Sequence, residues 1–513
     1  MSAPPDAAAT PRGRMRRESF RMRLADVLRG RRLVVVSNRE PIVHRWRAGR
    51  IETLTPASGL TTAVLPLVTA CHGTWVAHGA GDADFELTDA RDGLDVFPDP
   101  GRHRRYRLRR VRLEREIEDG YYYGYANEGL WPLCHAAYTA PIFRRSDWDE
   151  YVKANERFAV AVLDEIGADD ALVLVQDYHL ALVPRMLRRA RPDLLIAQFW
   201  HVPWPSRETM RVCPQLPELL DGLLGNDLLG LHTRHHVDNF LETIDRGIEG
   251  LVETERRTAQ RQGHRTFVRA FPISIDVDEV ASLAQERTLE EAYPELAPRL
   301  RGRTMLLGVD RLDYTKGIPH RLRMMEILLE RHPELRGRLT FVQVGAPTRS
   351  VLPRYRALAD EVGTLVAELN ERFGTQDWRP IEYLSEHQDR SDVAVLMRHA
   401  DACLVTSLHD GMNLVAKEYV ASRAPEAGTL VLSKFTGAAR ELPEACLINP
   451  YDIDGSAELL LESLRLDESA RRESMAQMLR HLYRNDIYHW ALELLVSVDE
   501  VDRERRARMF PGN

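Results

Sequence analysis

Short apolar runs recur along the chain from Arg32 onward, each about the length of one buried strand, with helical patterns between them. Residues 33–36, 172–175, 196–199 and 228–231 read as strands, and so do 305–309, 339–344, 402–405 and 430–432. The runs are largely continuous rather than alternating, as in parallel sheets covered by helices on both faces. Residues 148–166 read as a helix. Ser146 and Asp149 have the S-x-x-D spacing of a capping box ahead of it, and Gly167 stands where a terminal glycine belongs.

The strands fall into two groups, separated by a polar stretch around 276–300. The expected fold class is therefore α/β, with two doubly wound, Rossmann-like domains over 31–275 and 276–480. A helical segment, 481–513, follows; its last helix, near 484–506, is compatible with packing on either domain. In such folds ligands bind beyond the carboxyl ends of the strands.

Length and charge narrow the picture. A chain of 513 residues is too long for one ordinary core. A formal net charge of -7 argues against a general nucleic-acid binder. No apolar run approaches the roughly 20 residues that cross a bilayer, so no membrane partner is expected. Cys71, Cys134, Cys213, Cys403 and Cys446 are odd in number and without CxxC spacing, which fits a reducing cytoplasm. Residues 1–30 are Ala/Pro-rich and then arginine-rich, without the apolar core of a secretory signal; a disordered basic extension ending in a short helix is expected.

Three clusters carry candidate chemistry. In Asp410-Gly411-Met412-Asn413-Leu414-Val415-Ala416-Lys417-Glu418 an apolar strand ends, a D-G turn follows and a helix begins. Free N–H groups at a helix start favour phosphate, Gly411 permits close approach, and Leu414 and Glu418 share one helical face. In Gly308–Gly317, GVDRLDYTKG, Arg311 and Lys316 share a loop where two cations could stabilise a departing diphosphate. The third cluster is Asp177-Tyr178-His179 with His201, at the ends of adjacent strands, suited to sugar hydroxyls or acid–base work. Tyr121 to Tyr125 and Trp131 add aromatic surface fit for a hexose face. Blander readings stand beside each: a surface acid on an ordinary turn, ion pairs of Arg311 and Lys316 with Asp310 and Asp313, structural histidines, and aromatics that belong to the core.

Asp82-Ala83-Asp84, Asp276-Val277-Asp278 and Asp452-Ile453-Asp454 match a D-x-D metal pattern that arises easily by chance. HExxH, GxSxG and complete GxGxxG patterns are missing, which removes support for metalloprotease, hydrolase and plain dehydrogenase readings.

Taken with Arg32–Arg39 as RLVVVSNR and Asp177-Tyr178-His179-Leu180, the segments GVDRLDYTKG and DGMNLVAKE resemble the trehalose-6-phosphate synthase family, glycosyltransferase family 20. The resemblance runs from about Arg32 to Asp452, and its two long motifs are highly specific. It implies the GT-B fold, two Rossmann-like domains facing a cleft that closes on substrates, with the acceptor-side domain first and the nucleotide-sugar domain second. It implies glucosyl transfer with retention from a nucleotide sugar, UDP-glucose by default, to glucose 6-phosphate. It implies no metal and no cofactor, only small-molecule substrates, and it leaves room for a homo-oligomer.

Residue by residue, the resemblance gives Arg311 and Lys316 to the donor diphosphate with Gly59 nearby. Asp410 and the backbone of Gly411, Met412, Asn413, Leu414 and Val415 go to the donor glucose and phosphate, and Glu418 to the ribose. Asp177 and His201 border the transferred glucose. Arg39, Tyr122, Trp131 and Arg349 grip the acceptor. Asp177, His201, Arg311, Lys316 and Asp410 form the expected catalytic set. The proposed chemistry in enzymes of this kind is front-face displacement, the leaving phosphate taking the acceptor's proton. Three positions depart from the family pattern: Ser58-Gly59-Leu60 in the donor loop, His409 before the Asp-Gly-Met run, and His78, where an acceptor-side tryptophan is usual. Two alternatives stay open: a glucosylglycerol-phosphate synthase using glycerol 3-phosphate, and a non-catalytic regulatory homologue that binds sugar phosphate.

Overall fold

In the computed structural model, residues 20–55 (apart from 21), 59–98 and 105–509 are described. The extension expected over 1–30 lies mostly outside them; residues 22–28 are helical. The described chain divides into two compact units, one of Ser274–Asp486 and one of the residues through Ile273 together with those from Ile487 onward.

In the first unit the strands are β1 (Arg32–Ser37), β2 (Val43–Arg47), β3 (Arg50–Leu54), β4 (Thr74–His78), β5 (Gly93–Val96) and β6 (Tyr106–Val111). They continue as β7 (Ala171–Gln176), β8 (Leu195–Phe199), β9 (Leu228–Leu231), β10 (Leu251–Glu253), β11 (Thr258–Arg261) and β12 (His264–Ala270). Ten of them form one sheet in the order β10-β11-β12-β9-β8-β7-β1-β4-β6-β5, and β2 and β3 form a separate hairpin. From β12 to β6 every neighbouring pair is parallel. Strand order runs outward in both directions from β1 and β7, so the switch point of this sheet lies between those two strands.

The second unit carries β13 (Thr304–Arg311), β14 (Leu339–Ala346), β15 (Ile381–Leu384), β16 (Ala402–Val405), β17 (Thr429–Ser433) and β18 (Cys446–Ile448). Their order is β15-β14-β13-β16-β17-β18, all parallel. Numbered within the unit this is 3-2-1-4-5-6, the dinucleotide-fold order, with its switch point between β13 and β16. The continuous apolar runs become strands because both sheet faces are covered: every residue of β1 from Leu33 on, of β7, of β8 and of β16 is buried.

Two local expectations need correcting. The long helix is Arg145–Ile166 rather than 148–166, and its N-cap, Arg144, makes no side-chain cap. Ser146 and Asp149 therefore lie inside the helix, where Arg145 Nε donates to Asp149 Oδ1 at 3.1 Å; an i,i+4 ion pair replaces the expected capping box. Gly167 does terminate it, at φ 58°. The helix bearing Glu418 is Leu414–Arg423, so Gly411 lies in the loop before it rather than heading its row. The last helix, Ile487–Met509, belongs to the first unit, with Trp490 edge-on to Phe199 at 5.2 Å.

The discounted D-x-D aspartates have local duties. Asp276 and Asp452 cap helices, accepting from Glu279 N at 3.1 Å and Gly455 N at 3.0 Å. Asp82 accepts from Trp46 N at 2.9 Å. Among the described residues no group of His, Cys, Asp and Glu side chains is arranged to hold a metal ion, and no helix is long and apolar enough to cross a membrane.

Candidate active site

At the switch point of the second unit two loops lock together. After β13, Asp313 leads a short 3-10 turn, Tyr314–Lys316, and Gly317 follows at φ 66°. A Cβ on Gly317 would lie 2.4 Å from Thr406 O, so the close crossing of the two loops requires glycine. Leu408 N donates to Thr315 O at 2.7 Å. Thr406 Oγ1 lies 3.3 Å from both Lys316 O and Gly317 O. Across this crossing Lys316 Nζ meets Asp410 Oδ2 at 2.5 Å. Ser407 Oγ and Asn413 Nδ2 donate to the same oxygen at 3.2 and 3.1 Å. Asn413, at φ 74°, also caps the following helix by accepting from Ala416 N. Gly411 and Met412 are buried in the loop, while Leu414, Val415 and Glu418 are half-buried on the first turns. Burial raises the Glu418 carboxyl, opposed by the charge of Arg390 and reinforced by that of Glu279.

The blander reading, ion pairs of Asp310 and Asp313 with Arg311 and Lys316, leaves out partners that the fold supplies from other elements. Asp310 accepts from the buried Arg321 at 2.7 Å, Asp313 from Arg349 at 3.0 Å, and Lys316 takes Asp410. Arg321 also donates to Thr406 Oγ1 at 3.0 Å and Gln343 Oε1 at 2.9 Å, fastening both loops from beneath. The Asp313 carboxyl is desolvated, yet the charges of Arg349, Lys316 and Arg311 hold it below the ordinary carboxylate range. Arg349 lies in this unit, its guanidinium also donating to Tyr355 OH at 2.8 Å. Arg311 ends β13 opposite Ala346 and is half-buried.

At the switch point of the first unit Asp177 follows β7 at φ 69°. That backbone is costly for a non-glycine residue and marks sites whose surroundings hold it in place. Here Asp177 N donates to Phe199 O at 2.7 Å, and Asp177 Oδ1 accepts from His201 N at 3.0 Å. His201 Nε2 is hydrogen-bonded to the Gln176 side-chain amide at 2.9 Å, which orients the ring. Burial first, then the neighbouring His232, press the His201 pKa well below the ordinary value, so the ring is neutral. Tyr122 stacks on His179, centroids 5.6 Å apart at 13°. Trp131 is buried and tilted against Tyr178 at 5.9 Å. Tyr121 and Tyr125 are fully buried, so that part of the aromatic set is core. Tyr122 belongs to a π-helix, Asp119–Leu130, a distortion frequent at functional sites.

Arg39 lies in the turn after β1, and His78 ends the neighbouring strand β4. Ser37 Oγ donates to Arg39 O at 2.6 Å and accepts from Trp75 Nε1 at 2.8 Å, which fixes the turn after β1. His78 is buried at the end of β4 and pairs with Val111; burial lowers its pKa to about 4 despite Asp84 nearby. Gly59 opens the helix Gly59–Ala70, and Ser58 lies outside the described residues. Gln176, Arg321 and Gln343 were not foreseen. Only their places beside strand ends or motif loops could have flagged them.

Two α/β units, each gathering charged groups at its own switch point, are what a GT-B fold provides, and the match to a glycosyltransferase family model makes this a glycosyltransferase of that class. The chain belongs to glycosyltransferase family 20, whose model matches residues 31–500. It is 39% identical over 496 residues to trehalose-6-phosphate synthase of Mycolicibacterium vanbaalenii, covering 92% of this chain and 97% of that one. Among solved structures it is similar to an α,α-trehalose-phosphate synthase (UDP-forming) from Burkholderia xenovorans in complex with glucose-6-phosphate. There the TM-score is 0.81 at 32% identity, over 91% of this chain and 99% of that one. An E. coli protein bound with UDP-2-fluoro glucose matches with a TM-score of 0.81 at 31% identity and the same coverage.

Proposed function

We propose that this enzyme transfers glucose from a nucleotide sugar, UDP-glucose by default, to glucose 6-phosphate with retention, giving α,α-trehalose 6-phosphate. The observation that carries the reading is the Lys316–Asp410 pair, held where the loops after β13 and β16 cross. Relatives that bind glucose 6-phosphate and a UDP-glucose analogue support it.

In this reading the second unit binds the nucleotide sugar and the first the acceptor. Lys316 and Arg311 neutralise the diphosphate as charge grows on it, and Gly59 is a further donor ligand. Asp410 and the backbone from Gly411 to Val415 hold the donor glucose and phosphate, and Glu418 binds the ribose. Asp177 and the neutral His201 border the transferred sugar, and Arg39, His78, Tyr122, Trp131 and Arg349 hold the acceptor. Asp177, whose Oδ1 accepts from His201 N, is read as a ligand of the transferred sugar rather than as a nucleophile. The acceptor oxygen then attacks on the face the phosphate leaves, and the phosphate takes its proton. Cations of the protein supply the neutralisation, and five free cysteines accord with a reducing cytoplasm.

The test is a matrix of UDP-, GDP- and ADP-glucose against glucose 6-phosphate and glycerol 3-phosphate, reading product mass and anomeric configuration. Turnover of glucose 6-phosphate with the α configuration kept is expected. An inverted product removes the mechanism. Turnover of glycerol 3-phosphate alone transfers the reading to glucosylglycerol phosphate, and binding without any turnover points to a regulatory homologue.

A further inference from the structure

Behind Arg39 and His78 lies a buried cluster of charges that the reaction scheme does not use. Arg110, on β6, has a side chain with no solvent exposure. Its Nε donates to Glu40 Oε2 at 2.9 Å, and a terminal nitrogen reaches Asp84 Oδ1 at 2.9 Å. Its other terminal nitrogen donates to Asp84 O. His44 Nδ1 accepts at 2.7 Å from the terminal nitrogen that faces Asp84 Oδ1, and burial and the Arg110 charge, opposed by Asp84, lower the His44 pKa, keeping that ring neutral.

The two carboxyl groups spend their remaining oxygens on one turn. Glu40 Oε1 accepts from Ala80 N at 3.1 Å, and Asp84 Oδ2 from Gly81 N at 2.5 Å. Asp84 Oδ1 also accepts from His44 N at 2.7 Å. Neither glycine of the turn tolerates a side chain: a Cβ on Gly79 would lie 2.7 Å from the Phe85 ring, and one on Gly81 2.2 Å from His44 O. The turn that leaves His78 and the residue that follows Arg39 are thus tied to one guanidinium.

Two carboxylates facing one guanidinium would leave a net negative charge in a dry site, which is costly. Burial, with Asp84 adding to it, pushes the Glu40 carboxyl up to about 9 even though Arg110 opposes the shift. Glu40 therefore keeps its proton at neutral pH and the cluster is neutral in sum.

We propose that Glu40 is a positioning residue, acting with Asp84 and Arg110 to fix Arg39 and the His78–Gly81 turn for the phosphorylated acceptor. The proposal rests on the acceptor role given above to Arg39 and His78. It predicts an effect confined to one substrate, which a general loss of stability would not produce.

The experiment compares the full-length wild type with Glu40→Ala and Glu40→Gln in melting temperature and in the KM for each substrate. Removing the buried partner of Ala80 N and Arg110 should raise the acceptor KM by about tenfold or more, leaving the donor KM within about twofold. Glutamine keeps one accepting oxygen but presents its NH2 where the second oxygen accepts, so it should recover the acceptor KM only in part, to a rise smaller than that of alanine. An unchanged acceptor KM in folded Glu40→Ala overturns the proposal. So does a matched rise for both substrates, or a glutamine variant no better than alanine. If Glu40→Ala does not fold, Glu40→Met is read in the same way; failure of both to fold makes the cluster a stability element only and also overturns it. Wild-type turnover is measured first. If the wild type prefers another phosphorylated acceptor, the proposed substrate fails and the ratios are read on that acceptor. If it turns over none, calorimetric binding of inorganic phosphate replaces KM.

Discussion

Lys316 and Asp410 stand 94 positions apart in sequence and meet at one point. Both stood out as candidates, because charged residues in glycine-bearing loops after apolar runs suit a bound phosphate, but their meeting across the two loops was not legible. Arg321 and Arg110 did not stand out, since an arginine inside a helix or strand reads as surface until its burial is known. Lys316→Ala should lower kcat/KM for the nucleotide sugar by about a hundredfold or more, since it removes charge aimed at the leaving group. Steady-state kinetics of the purified variant checks this. His78 makes a second prediction. Its folded pKa, about 4, lies below the ordinary value, so the folded state releases a proton that the unfolded state keeps. The stability this contributes is present above the ordinary imidazole pKa and lost as pH falls through that value toward about 4. Wild type should therefore lose more stability than His78→Gln over that window, read as the pH dependence of urea midpoints. Across pH 7 to 8 the ring is already neutral and contributes no slope.

At the scale of elements, the uninterrupted apolar strands were readable and the mixed ones were not. β6, Tyr-Arg-Leu-Arg-Arg-Val, sets Arg107 and Arg109 between buried positions and buries Arg110 as well, and β12 begins His-Arg-Thr. Their pairing partners, rather than their own composition, make them strands. The start of Arg145–Ile166 was misjudged because a cap pattern and an i,i+4 ion pair draw on the same residue types. Gly317 gives the prediction proper to this scale. With φ 66° and Thr406 O in the way of a Cβ, Gly317→Ala must part the two crossing loops. It should cost about tenfold or more in donor kcat/KM, because small misplacements of catalytic groups are expensive. Full activity in a folded Gly317→Ala protein would count against the crossing as the functional core.

For the whole molecule, the expected pair of α/β folds was legible from the grouping of strands, whereas the allegiance of the last helix was not. Its contacts are long-range: Arg31 pairs with Asp502 at 2.8 Å, and Arg505 with Asp227 at 3.2 Å. Ile487, Trp490, Leu494, Leu495 and Val498 along it are buried. Truncation after Asp486 should therefore strip amide exchange protection from the sheet of the first unit and leave β13 to β18 protected. Hydrogen exchange read by mass spectrometry separates the two regions.

That same helix sets an order on biosynthesis. A ribosome makes the whole of Ser274–Asp486 before it reaches Ile487. The second unit then has all of its strands available while the first still lacks a piece of its core. Domains commonly fold in the order in which they emerge, but here the unit begun first is finished last. Until that helix arrives, a ten-stranded sheet must wait with one apolar face incompletely covered. Nascent-chain aggregation and chaperone demand should accordingly track the first unit rather than the second.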